Sequence, residues 1–191
     1  MIHLYDSARL AVSPWRNGGG ETREIISYPP GSPDFDWRIS IATIAADGAF
    51  SSFPGVDRII TLLSGDVTLY RHDALYRRLP LHQPFAFAGE EPINARLSGQ
   101  TSTDFNLMAR RNAYRPDAGI ATIRFAPASA VAGVVYVLAG QWQHQQTLLS
   151  AGQGAWWENR GGAFIPLSAD ARLLWGTLEP REQATPLRLE V

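Results

Sequence analysis

The chain contains no cysteine. That absence excludes structural disulfides, cysteine–zinc sites and cysteine nucleophiles together, and it agrees with a reducing compartment. A block of basic residues is also missing. Lys+Arg number 17 against 18 Asp+Glu, for a formal net charge of -1, so the electrostatic footprint of a nucleic-acid partner is not there. No apolar run is long enough to cross a bilayer. The opening residues, MIHLYDSARL, lack the basic stretch and apolar run of a signal peptide. The expectation is a cytoplasmic protein with neither a nucleic-acid nor a membrane partner.

What is present points to a globular chain with many turns. Hydrophobic residues make up 45%, with six Trp, and 17 Gly and 13 Pro are scattered rather than clustered. At 191 residues the chain has the size of one large or two small domains. Folding at this length buries about 70% of the unfolded surface, so no staple is needed.

Short apolar runs alternate with turn residues, and no long amphipathic helix stands out. Asp36–Ile44 begins by alternating, with Trp37, Ile39 and Ile41 on one face and Arg38 and Ser40 on the other. Arg58–Tyr70 reads as a hairpin around Ser64-Gly65-Asp66. Glu24–Tyr28, Pro84–Ala88, Ile93–Leu97, Asp104–Ala109, Ile120–Phe125, Val134–Leu138, Ala155–Glu158 and Arg172–Leu178 read as further strands. Many short strands at regular spacing predict an all-β sandwich or barrel.

A faint repeat runs through them. Arg58–Leu69 resembles Gly133–His144, Leu79–Phe87 resembles Leu149–Trp157, and Asp104–Ala109 pairs with Arg172–Gly176. The order is kept across all three, which predicts two copies of one antiparallel unit. The seam is expected near Pro116–Ala118, giving halves 1–117 and 118–191. Glu179–Val191 is polar and interrupted by Pro, a last edge strand or a loosely held terminus.

Asp47–Gly65 (DGAFSSFPGVDRIITLLSG) is the most informative stretch. The metal-binding cupin motif runs H-x-H, three or four residues, E, six residues, G. Here Ser51, Phe53, Arg58 and Gly65 occupy those positions. Ser, Phe and Arg cannot hold a divalent metal as two His and a Glu would. Arg in place of Glu inverts the local charge, and a cavity built on this frame should prefer a carboxylate or other anion, gripped bidentately. The plainer alternative pairs Arg58 with Asp57 or another surface acid. His3, His72, His82 and His144 show no ligand spacing, so no metal is expected and each reads as a surface or turn residue.

Pro14–Thr22 (PWRNGGGET) holds a glycine run that allows close approach of a ligand. It is not a P-loop, since no Gly-Lys-Ser/Thr follows. It reads either as a tight turn or as a cavity wall built by Trp15 and Asn17. Arg38 faces either solvent or the cavity; in the cavity it would join Arg58 as a dicarboxylate clamp. Asn106 either lines the cavity opposite Arg58 or caps a turn. No nucleophile–base set emerges, although Glu24 and Asp104 could act as acid or base. The Trp156-Trp157 pair reads as core or as a domain interface.

The blocks PWRNGGGETREI (Pro14–Ile25), DWRISIATIAADGAFSSFPGVDRIITLLSG (Asp36–Gly65), QPFAFAGE (Gln83–Glu90) and DFNLMARR (Asp104–Arg111) resemble the HutD/Ves family, with looser matches at Gly133–Trp142 and Gly154–Asn159. The W-R-N start and the F-S-x-F-P-G segment are closer to the Ves branch, while Gly18-Gly19-Gly20 is HutD-like. The resemblance implies an all-β bicupin, which agrees with the repeat. HutD-like members are linked to histidine utilisation, with a proposed regulatory role and a proposed formylated-glutamate ligand. Ves-like members are described as stress- or cold-associated. The resemblance places Trp15, Asn17, Arg38, Ser51, Arg58 and Asn106 around a first-half cavity. The second half lacks an equivalent polar set, with Gly133 at the position of Arg58, and is expected to support structure or a subunit interface in a homodimer.

Three readings of function stay open. The first is a non-catalytic binder of a small anionic metabolite, without metal or other cofactor. The second is a metal-independent isomerase or hydrolase of a modified amino acid, with Glu24 and Asp104 as the acid–base groups. The third is a protein-interaction module presenting apolar surface around Trp142 and Trp156.

Overall fold

The computed structural model describes residues 1–32, 34–128 and 131–181. In chain order the strands are β1 (Ile2–Asp6), β2 (Val12–Pro14), β3 (Gly20–Tyr28), β4 (Trp37–Ile44), β5 (Gly48–Ala49), β6 (Val56–Ser64), β7 (Val67–Arg71), β8 (Ala74–Arg78), β9 (Pro84–Ala88), β10 (Ile93–Leu97) and β11 (Ser102–Arg110). They continue as β12 (Tyr114–Ala121), β13 (Ala132–Ala139), β14 (Gln141–His144), β15 (Thr147–Ser150), β16 (Gln153–Trp157), β17 (Phe164–Pro166) and β18 (Arg172–Pro180). Among the described residues there is no α-helix, only a 3-10 turn at Ser7–Arg9, so no helix is long and apolar enough to cross a membrane.

The strands make four open sheets, ordered β2-β3-β4-β11-β6-β9, β5-β10-β7-β8, β1-β16-β13-β18-β12 and β15-β14-β17. The repeat seen in the sequence is the architecture. In the first half β6 lies between β11 and β9, and β7 between β10 and β8. In the second half β13 lies between β18 and β16, and β14 between β17 and β15. The fold is an all-β bicupin, each half being two antiparallel sheets face to face rather than a closed barrel.

Three apolar clusters hold the layers together. Ile60, Leu62, Val67, Leu69, Phe87 and Ile93 fill the first half. Val135, Val137, Trp142, Trp157, Phe164 and Leu173 fill the second. Between the two large sheets lie Trp37, Ile39, Ile41, Ile59, Phe105 and Leu107, packed against Val134, Leu174 and Leu178. The six-stranded sheet is thus covered on both faces. Because successive side chains alternate across a strand, Trp37, Ile39 and Ile41 enter the middle layer, and Arg38 and Ser40 turn into the first half.

Several expectations are corrected. Ser64-Gly65-Asp66 does not close a hairpin, because β6 and β7 belong to different sheets. The chain turns a corner there at Gly65 (φ 83°), packed against Ser102, and turns the matching corner at Gly140 (φ 70°) against Ala171. The strand expected over Ile120–Phe125 begins earlier and ends at Ala121, while Phe125 makes only an isolated bridge to Phe164. Residues 117 and 118, where the sequence puts the seam, are consecutive in β12, which pairs with β18 along its length. β1 pairs with β16, so the first strand of the chain completes a second-half sheet. Of the tail, Glu179 and Pro180 end β18, and 182–191 lie outside the described residues.

Candidate functional site

A cavity of about 510 Å³ lies on the inner face of the six-stranded sheet, and its lining includes all six residues singled out from the sequence: Trp15, Asn17, Arg38, Ser51, Arg58 and Asn106. Strand register explains the convergence. One cross-strand row holds Thr22, Ala42, Asp104 and Leu62; the next holds Glu24, Ser40, Asn106 and Ile60; the next holds Arg38, Met108, Arg58 and Phe87. Residues far apart in the chain therefore stand side by side on one face.

Arg58 forms the floor. It is 7% exposed, and its guanidinium carbon lies 5.3, 5.6 and 5.0 Å from the ring centres of Phe50, Phe53 and Phe87. Three ring faces favour a cation electrostatically and keep it from wandering. Nη2 donates to Asn106 Oδ1 at 2.8 Å and Nη1 to the Ser51 carbonyl at 3.5 Å, while Nε is buried without a partner. The pairing with Asp57 weighed from the sequence does not occur; Asp57 binds Arg111 at 2.6 Å. The segment carrying Phe53 is pinned by backbone bonds from Phe53 N to Gly89 O (2.8 Å) and from Gly89 N to Val56 O (2.7 Å).

The mouth is built by the turn between β2 and β3. Its geometry satisfies both readings of the glycine run, a tight turn that is also a cavity wall. Trp15 N donates to Gly20 O at 2.9 Å and Gly18 N to Trp15 O at 3.0 Å. Trp15 lies over Gly20, where a Cβ would stand 2.9 Å from the indole and 2.2 Å from the Thr43 carbonyl. The indole N–H donates to Thr22 Oγ1 at 2.8 Å, which fixes the ring. Asn17 spends its carbonyl oxygen on Gly19 N at 2.9 Å, leaving its amide N–H groups for the cavity. Arg38 stands in the wall with its Nε donating to Glu24 Oε2 at 2.8 Å. A more open hollow of about 700 Å³ adjoins the cavity and shares Arg38 and Phe53 with it.

The ionisable groups lining the cavity are Arg16, Arg38, Arg58 and Asp104. The chain has no lysine, so every side-chain cation here other than histidine is a guanidinium. Burial lowers Arg58 to about 10, opposed by the charge of Asp104 and assisted by that of Arg38; it stays cationic at neutral pH. Asp104 is 1% exposed. Burial raises its carboxyl to about 7, against the pull of Arg58 and a hydrogen bond from Asn106. Asn106 donates through Nδ2 to Asp104 Oδ1. Its orientation follows from Arg58, which can only donate and so must face the amide oxygen.

Some of the site was not read from the sequence. Phe50 and Phe87 carry no signal of their own beyond apolarity, and their role appears only when Arg58 is placed between them. The sequence marks Asp104 as an acid or base and the structure adds that it lines the cavity, as its offset of two from Asn106 on one strand requires. Glu24 reaches the adjoining hollow rather than the main cavity. Among the histidines, His72 and His82 sit in turns and His3 stacks on Trp156 at 4.0 Å. His144, expected at the surface, is buried against Phe164 at 4.6 Å. No group of three or more His, Cys, Asp or Glu that could hold a metal occurs among the described residues.

Among the described residues the second half shows no matching cavity chemistry, for a reason the register makes plain. Arg58 pairs with Phe87 in the first half as Gly133 pairs with Trp157 in the second. The Trp157 ring lies 2.6 Å from where a Gly133 Cβ would stand, so the indole takes the space of the arginine. Trp175 and Leu173 occupy the places of Asn106 and Asp104. Trp156 faces the other way, edge-on to Trp37 in the middle layer.

Comparison with known proteins agrees with this architecture. The HutD family model matches residues 7–175. Protein Ves of Cronobacter sakazakii is 45% identical over 179 residues, covering 93% of this chain and 98% of that one. The structure of HutD from Pseudomonas fluorescens SBW25, in a formate condition, superposes with a TM-score of 0.82 at 28% identity, over 95% of this chain and all of that one. A conserved protein of unknown function from Pseudomonas aeruginosa PAO1 shares the fold with a TM-score of 0.83 at 24% identity, over 94% and 99% of the two chains. A family match across most of the chain, a close Ves relative and a common fold together mean that this chain belongs to the HutD/Ves family.

Proposed function

We propose that the chain is a metal-free cupin that binds a small anionic metabolite, a carboxylate or an N-acyl amino acid of the formyl type. The observation that carries the reading is Arg58, a buried cation at the floor of a ligand-sized cavity with donors to spare. Arg16 and Arg38 add two further guanidinium groups against a single lining carboxyl, and an anion repays their desolvation better than a neutral ligand does. Phe53 and Arg58 at former ligand positions of the cupin frame argue against a metal there. In the cell such a protein would sense or buffer its ligand, in keeping with the regulatory or stress-related role that the family resemblance implies.

Thermal unfolding with a panel of carboxylates, N-acyl amino acids and divalent metals tests this, with Arg58→Ala beside the wild type. A ligand at about 100 times its dissociation constant stabilises by about 2.7 kcal/mol, a rise of roughly 5–10 °C in Tm for a chain of this size. One acid class should produce that rise in the wild type and none in Arg58→Ala. A rise from metals alone would overturn the reading. A second reading, a metal-independent acid–base enzyme, is favoured by Asp104 in the same cavity; turnover of a bound acid, lost in Asp104→Asn, would establish it. The interaction-module reading finds no support at Trp142, which is fully buried.

A further inference from the structure

We infer that Asp104 enters the complex as a neutral carboxylic acid and donates a hydrogen bond to the bound anion, so that carboxylate binding draws a proton onto the site wherever Asp104 is ionised beforehand. This rests on the anion-binding reading of the cavity and names how the same site chooses its ligand. Three geometric facts lead to it. Asp104 is buried yet lines the cavity. Its cross-strand neighbours are Ala42 and Leu62, which offer an ionised carboxylate nothing. Its hydrogen-bond partner among the described residues is the neutral amide of Asn106, with no ion pair to Arg58 within 4.0 Å.

The charges facing Asp104 come from several elements. β6 contributes Arg58, β4 contributes Arg38, and the turn between β2 and β3 contributes Arg16; Glu24 on β3 is held by Arg38. A guanidinium group keeps its charge at neutral pH, so proton exchange among these lining groups belongs to Asp104. With Asn106 held by Arg58, the amide N–H occupies one Asp104 oxygen, and the other can carry the proton. An ionised Asp104 offsets Arg58 and repels an incoming anion; a protonated one leaves the guanidinium unopposed and adds a donor beside it. The anion in turn disfavours ionisation of Asp104. The recognised group would therefore be an anion with two acceptor oxygens, one for Arg58 and one for the Asp104 hydroxyl, which selects carboxylates over halides.

Formate and acetate stay ionised between pH 6 and pH 8 and serve as probes. With Asp104 titrating near 7, wild-type affinity should be about tenfold tighter at pH 6 than at pH 8. Asp104→Asn, neutral throughout, should bind with little pH dependence. Carbon-13 NMR of the Asp104 carboxyl in the wild type gives a readout independent of any variant, and its titration should move to higher pH when formate is added. Carboxylate binding of equal strength at both pH values, or an Asp104 titration unmoved or lowered by formate, overturns this inference and leaves the anion site standing. Failure of every carboxylate to bind at either pH overturns both.

Discussion

Replacing Asp104 by Asn should make the protein lose less stability as pH rises. The carboxyl is fully buried and titrates at about 7, against an ordinary 3.8. An acid whose folded pKa is raised favours the folded state while protonated. That contribution is complete below about pH 4, is lost as pH rises from the unfolded value toward the folded one, and levels off above it. A shift from 3.8 to about 7 corresponds to on the order of 4 kcal/mol in total, of which roughly 3 kcal/mol falls between pH 5 and pH 8. Asn cannot ionise, keeps the shape, and leaves every other titrating group in place, so the difference between the two proteins isolates Asp104. Urea unfolding of both at pH 5, 6, 7 and 8 measures it. Wild type should fall behind Asp104→Asn by about 3 kcal/mol across that range, or roughly 6–12 °C in a parallel thermal series. Parallel curves would show that Asp104 does not titrate in this window. A wild type that gains on the variant with rising pH would show an ionised Asp104 stabilised by Arg58, and would refute the reasoning.

Two further substitutions separate the site from its scaffold. Gly20→Ala forces a Cβ against the Thr43 carbonyl and the Trp15 ring; it should cost about 1–3 kcal/mol and weaken carboxylate-induced stabilisation, read by thermal unfolding and Trp fluorescence. Trp157→Ala removes a fully buried ring whose Nε1 donates to Val131 O at 2.9 Å. It should cost about 3–5 kcal/mol in urea unfolding while the surviving folded protein keeps its carboxylate response, because the described residues that line the cavity run from Ser13 to Met108.

Much of the fold was legible because strand chemistry is local. Val, Ile and aromatic residues alternating along Trp37–Ile44 mark β4 whatever lies around it, and Pro84–Ala88 and Ile93–Leu97 were read to the residue. The corner at Gly65 was misread because turn chemistry looks alike whether the chain doubles back on one sheet or steps to the next. Short edge strands such as β5 and β15 were missed because their pairing depends on partners remote in sequence. His144 was misplaced for a similar reason: only the stacked Phe164 ring and a contact to the Ala163 carbonyl make its burial tolerable.

By itself the sequence determined the alternating strands, the repeat, and the spacing that sets Ser51, Phe53 and Arg58 at the ligand positions of the cupin motif, because each is written along one chain. Tertiary structure alone decided that Arg38 and Ser40 turn inward, that Phe50, Phe53 and Phe87 enclose Arg58, and that Asp104 stands beside Ala42 and Leu62 with no ion pair among the described residues. Charge and proton affinity in a cavity depend on what is excluded as much as on what is present. The burial of Arg58 and Asp104 is the work of strands brought together from both ends of the first half.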